Sequence, residues 1–81
     1  MFTIRKSRFK TDVVTIIFRR NRHGVRVITS FRVIGTAFPC RRFLFIGGRV
    51  GAAQRCLLNN GFRLIFHRGD VLVFKRRRKH G

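Results

Sequence analysis

The chain has 81 residues and a mass of 9.5 kDa, and its twenty Lys and Arg face only Asp12 and Asp70, for a formal charge of +18 and a pI of about 12.0. Self-repulsion on that scale works against a compact state, so the charge calls for an external polyanion, and nucleic acid is the densest one in a cell. The 44% of apolar residues, ten of them Phe, exclude a plain disordered basic tail.

Residues 1–10 are basic, with Arg5, Lys6, Arg8 and Lys10 around Phe9. Thr11-Asp12 reads as a helix start, because an acidic side chain near a helix N-terminus is favoured by the dipole. Phe9, Val13, Ile16, Ile17 and Arg20 then share one helical stripe, and Asn21-Arg22-His23-Gly24 reads as the stop. The β-branched run Val13 to Ile17 argues for a strand instead. Helix is the expectation.

Val25 to Ile34 is the clearest strand. Val25, Val27, Thr29, Phe31 and Val33 alternate with Arg26, Ile28, Ser30 and Arg32, which predicts one apolar and one partly cationic face. Gly35 to Arg42 is a break that holds the only proline, Pro39. Phe43 to Ile46 is a short strand candidate, and Arg49 to Leu58 fits helix or strand. Asn60-Gly61 signals a hairpin joining Arg55–Leu58 to Phe62–Phe66. His67 to Asp70 reads as a bulge or turn, Val71 to Phe74 as the last strand, and Lys75 to Gly81 as a basic tail with no core residue, of which Lys75 to Lys79 would order on contact with RNA. One domain spans 1–81, without repeats or linkers.

Sixteen of the twenty cations are Arg, whose planar fork grips phosphate bidentately and stacks on bases. No stretch approaches the ~18 apolar residues of a membrane span. A membrane-active peptide would show one long amphipathic helix, whereas here the pattern turns to period two and is broken by glycines. Two carboxylates, His23 and His67 at turns, and cysteines without a paired base point away from an enzyme. Cys40, Cys56, His67 and His80 fit no standard zinc spacing. Two buried or free thiols in a reducing compartment are expected, with no metal and no cofactor.

Three local motifs carry a resemblance. Gly24-Val25-Arg26-Val27-Ile28-Thr29-Ser30-Phe31-Arg32-Val33-Ile34-Gly35 resembles the signature strand of small-subunit ribosomal protein S-three, which reads Gly-Ile-Lys-Val, two variable residues, then Ser-Gly-Arg-Leu-Gly-Gly. Gly48-Arg49-Val50 matches a later Gly-Arg-Val, and Gly69-Asp70-Val71-Leu72-Val73-Phe74-Lys75 is similar to the closing strand. The match covers the C-terminal domain of that family, from about Arg5 to Lys75. These 81 residues hold no counterpart of the family's KH-type N-terminal domain. Phe31 and Ile34 replace signature glycines, and the acidic residues after the signature are gone.

The resemblance implies a two-layer α+β fold. An N-terminal helix would pack on a small, mostly antiparallel sheet of about four strands, followed by the basic C-terminal tail. It implies a structural constituent of the small ribosomal subunit, on the head at the mRNA entry side. Partners would be rRNA, incoming mRNA and neighbouring ribosomal proteins, with no membrane. The acid-poor, stripped form resembles an organellar version, so mitochondrial translation is expected. A resemblance that begins so near Met1 leaves no room for a presequence and suggests synthesis inside the organelle. Another small rRNA-binding ribosomal protein, or an S-four-like module, is the alternative.

Expected RNA-binding residues are Arg5, Lys6, Arg8 and Lys10 on the first helix, Arg19, Arg20 and Arg22 at its end, and Arg26 and Arg32 on one face of the signature strand. Arg41, Arg42 and Arg49 would act beside glycine-rich turns, and Lys75, Arg76, Arg77, Arg78 and Lys79 in the tail.

Overall fold

The computed structural model describes residues 10–78. Four strands, β1 (Lys10–Arg20), β2 (Arg26–Ile34), β3 (Arg63–Arg68) and β4 (Val71–Arg78), form one antiparallel sheet in the order β2-β1-β4-β3. A short 3₁₀ turn (Arg41–Phe43) and one helix, α1 (Val50–Asn59), lie between β2 and β3. The fold is therefore mostly β. Among the described residues the expected N-terminal helix packed on a sheet is not present, because Lys10–Arg20 is β1, one of the two central strands.

The physical reason lies in the side chains. Thr11, Val13, Val14, Thr15, Ile16 and Ile17 are β-branched, stiff at χ1 and better suited to a pleated surface than to a helix. Asp12, Val14, Ile16 and Phe18 alternate into the core. The stripe that suggested a helix used Ile17, which instead belongs to the opposite face. Asn21 closes a hairpin where a helix stop was expected. Its Oδ1 accepts the N–H groups of His23 and Val25 at 2.8 and 3.0 Å, and Gly24 takes φ +78° to complete the turn.

The inner face of the sheet and its cover form the core. Val14, Ile16, Phe18, Ile28, Leu72 and Phe74 come from the strands. Ala37, Cys40 and Leu44 come from the long connection after β2, and Val50, Ala53 and Leu57 from α1. The candidate strand Phe43 to Ile46 is the end of the 3₁₀ turn plus loop, with Leu44 buried and Phe45 and Ile46 exposed. The ambiguous Arg49 to Leu58 segment is helical.

Asn60-Gly61 ends α1 and makes no hairpin. Gly61 sits at φ +90°, and the Phe62 N–H donates to the Leu57 carbonyl at 3.0 Å, a Schellman-type stop with Leu57 and Phe62 both buried. The real hairpin is β3–β4, whose turn Gly69-Asp70 has φ +55° at Gly69.

The clearest-strand expectation is corrected in its phase. A register shift lies between Ile17 and Phe18, so Ser30 faces Ile17 and Ile28 faces Phe18, and Thr29 is the extra residue. Ile28 is thus core and Val27 is not. A second shift, at Ile65 in β3, separates the Leu64–Phe74 and Phe66–Val73 pairs. The expected basic tail is also corrected: Lys75 to Arg78 continue β4 and pair with Val13 to Lys10. A ladder partner, and not RNA, orders them.

Gly35, just after β2, has φ +84°, and a Cβ there would run into Asp12 Oδ1 and stand 2.9 Å from the Thr11 carbonyl oxygen. Gly35→Ala should lower stability by about 2 kcal/mol, combining left-handed strain with this crowding. A urea titration checks it. An unchanged midpoint would show that the Asp12 side chain yields freely.

Candidate nucleic-acid interface

Partners directly opposite in the ladder share a face, so the register draws the outer surface. One row across β2, β1, β4 and β3 reads Ile34, Val13, Lys75, Arg63. The next reads Arg32, Thr15, Val73, Phe66, and the third reads Ser30, Ile17, Val71, Arg68. Thr11 with Arg77 lies at one end and Arg19 with Val27 at the other. The centre is Val13, Thr15, Ile17, Val71 and Val73. The rim carries Arg19, Arg32, Arg63, Arg68, Lys75 and Arg77. Among the described residues no element covers this face, since α1 and the long connection lie on the other side. Ile17 is 38% and Phe66 46% exposed.

Two shallow hollows mark the face. One is lined by Thr15, Ile17, Ser30, Phe31 and Arg32, the other by Gly61, Arg63, Ile65, Lys75 and Arg77. Lys75 is directly opposite Arg63. Like charges so placed repel within the sheet, and an anion bound between them would relieve the strain.

A second set of guanidiniums lies over the protein's own Phe rings. Arg26 stands 5.2 Å from the Phe18 ring centroid, Arg41 5.4 Å from Phe31 and Arg42 5.5 Å from Phe43. Arg26 and Arg32 were expected on one face. The bulge at Thr29 separates them: Arg32 is on the outer face, and Arg26 is opposite Arg20 on the inner one. Arg20 leans away to the Gly24 carbonyl at 3.4 Å, which eases that like-charge pair. Arg41 also donates to the Leu44 carbonyl at 3.2 Å. Arg22 is exposed in the β1–β2 turn, and Arg49 is exposed at the N-cap of α1.

Arg76 is removed from the interface. It lies on the inner face opposite Asp12, which is fully buried. Its Nε and Nη2 both reach Asp12 Oδ2 at 2.9 Å, and Nη1 donates to the Phe38 and Asn60 carbonyls at 3.1 and 3.0 Å. Its plane covers the Phe62 ring at 4.3 Å. Asp12 Oδ1 meanwhile accepts the Thr36 N–H at 2.9 Å. The residue expected at a helix start and a residue expected in a loose tail are thus the two halves of one internal clamp.

Arg5, Lys6, Arg8 and Lys79 lie outside the described residues. Lys10 and Arg78 are paired at the end of the β1–β4 ladder. Of the expected helical patch Arg5 to Lys10, only Lys10 is described, and it belongs to a strand. Sequence reasoning missed Arg63, Arg68 and Arg55. Arg63 and Arg68 bracket Leu64 and Phe66 in a legible strand, but their place on the rim depends on a register that only the fold supplies. Arg55 is exposed on α1.

The cysteines are corrected as well. Cys40 and Cys56 form a disulfide that ties the connection after β2 to α1, so neither is a free thiol. The Asn60 Nδ2 group caps the helix end by donating to the Cys56 carbonyl at 2.8 Å beside the bridge. Among the described residues no three His, Cys, Asp or Glu side chains gather as a metal site, and no helix is long and apolar enough to cross a membrane. No family model, no curated protein and no solved structure matches this chain.

Proposed function

We propose that this protein binds RNA through the open face of its sheet, as a structural constituent of a ribonucleoprotein particle. The particle implied by the sequence resemblance is the small ribosomal subunit, in mitochondrial translation. One observation carries the reading. Of the two carboxylates, Asp12 is committed to Arg76 and Asp70 sits in the β3–β4 turn, so twenty Lys and Arg far outnumber the acids of the chain. Six cations lie on one face that no described element covers. Phosphates placed there would release counterions and relieve the repulsion at once.

The test is the salt dependence of binding between the full chain and a fluorescently labelled RNA. If the six rim cations each neutralise one phosphate, log K falls with log salt at a slope of about −4, and doubling the salt weakens binding roughly twentyfold. A flat profile would exclude the reading.

The Cys40–Cys56 bridge favours a second reading, a polyanion binder of an oxidising compartment, with sulfated polysaccharide as ligand. Heparin that binds more tightly than RNA at equal charge and salt would select it.

A further inference from the structure

Apart from Lys75, which lies between Val13 and Arg63, the cations on the open face are on edge strands or at strand ends, and the middle is apolar or hydroxylic. Val13, Thr15, Ile17, Val71 and Val73 fill the two central strands. Phe66 extends that band onto β3, where it sits directly across from Val73. Arg32 on one edge strand and Phe66 on the other lie in the same row, three strand spacings or roughly 14 Å apart. Arg63 and Arg68 flank Phe66 along the same edge.

This distribution discriminates between forms of RNA. A duplex presents its phosphates outward and hides its bases. On this face, phosphates over the centre would be stripped of water against Val and Ile with no cation beneath them, which is costly. An unpaired strand offers flat base faces as well as phosphates. Bases laid on the central band bury apolar surface, one base stacks on Phe66, and the backbone falls along the rim.

We propose that the open face takes single-stranded RNA, with bases on the Val13–Thr15–Val73–Phe66 band and phosphates on Arg32, Arg63, Arg68 and Lys75. The proposal rests on the RNA-binding reading above and specifies the form of RNA. Phe66 is its most exposed aromatic contact, and it sits on an edge strand, so its truncation leaves the core intact.

The experiment uses the full chain, a single-stranded RNA of mixed sequence and a duplex of equal length, with binding followed by fluorescence anisotropy at fixed salt. Single-stranded RNA should bind at least about tenfold more tightly than the duplex. Phe66→Ala should weaken single-strand binding about tenfold and leave duplex binding unchanged. Phe66→Tyr should retain the wild-type preference. Melting curves establish that the variants stay folded. If the duplex binds as tightly as the single strand, or if Phe66→Ala lowers both alike, the proposal is overturned while the RNA-binding reading stands. If neither RNA binds, that reading falls and this one with it. Preference for poly-glutamate over single-stranded RNA would likewise overturn it, making the exposed β3 edge a peptide site.

Discussion

Replacing Asp12 with alanine is expected to lower the unfolding free energy by about 3–5 kcal/mol, a large share of what a domain of this size possesses. Asp12 is fully buried, and Arg76 is bound to it while also donating to the carbonyls of Thr36, Phe38 and Asn60. Without the carboxylate, the guanidinium keeps its charge in a confined place and the Thr36 N–H loses its acceptor. The variant also raises an already extreme net charge. Asp12→Asn should cost less, since its carbonyl oxygen can still accept from Thr36. Arg76→Ala should cost about as much as Asp12→Ala, because it leaves the carboxylate buried and uncompensated. The double variant should then cost clearly less than the sum of the singles. Urea or thermal unfolding of the four proteins decides it. Additive losses would mean that the pair is not a unit.

Reducing the Cys40–Cys56 bridge should cost about 3 kcal/mol. The bridge closes a ring over a sequence separation of 16, and for a loop near that length the lost chain entropy of the unfolded state has about this size. The effect matters more here than in a larger protein, because few residues share the core and self-repulsion opposes it. Cys40→Ala/Cys56→Ala is the better comparison than a serine pair, since Cys40 is fully buried and a hydroxyl there would need a partner. The wild type should melt lower in reductant. The alanine variant should melt at that lower temperature with or without reductant. A wild type indifferent to reductant would show that packing alone holds the connection against α1.

Much of the sheet is legible in the chain. Three strands are legible: Val25–Ile34 and Phe62–Phe66 by their alternation, and Val71–Phe74 as an apolar run too short for a helix. β1 hides because it lies between two neighbours, with Val13, Thr15 and Ile17 on one face and Val14, Ile16 and Phe18 on the other. A run apolar on both faces shows no period two, so its spacing also satisfies a helix. The bulges at Thr29 and Ile65 are invisible for a related reason: each shifts the phase by one residue without leaving a compositional mark. The same limit governs the interface. The expectation of a polyanion partner rests on the charge alone. Which cations would meet it depends on pairings such as Arg63 with Lys75, and on one arginine, Arg76, being drawn inward by an acid 64 positions away.

The β1–β4 ladder also governs the order of events in synthesis. The strand that completes the middle of the sheet is made long after the strand it must join, so the sheet cannot close while the intervening segment is being translated. Contacts of such high sequence separation form slowly. During that interval the nascent chain carries a strongly basic, unfolded segment with an open hairpin edge. A polynucleotide present at that moment would act as a template for collapse, lowering the repulsion that delays it, so that acquisition of the ligand and acquisition of the fold become a single kinetic step.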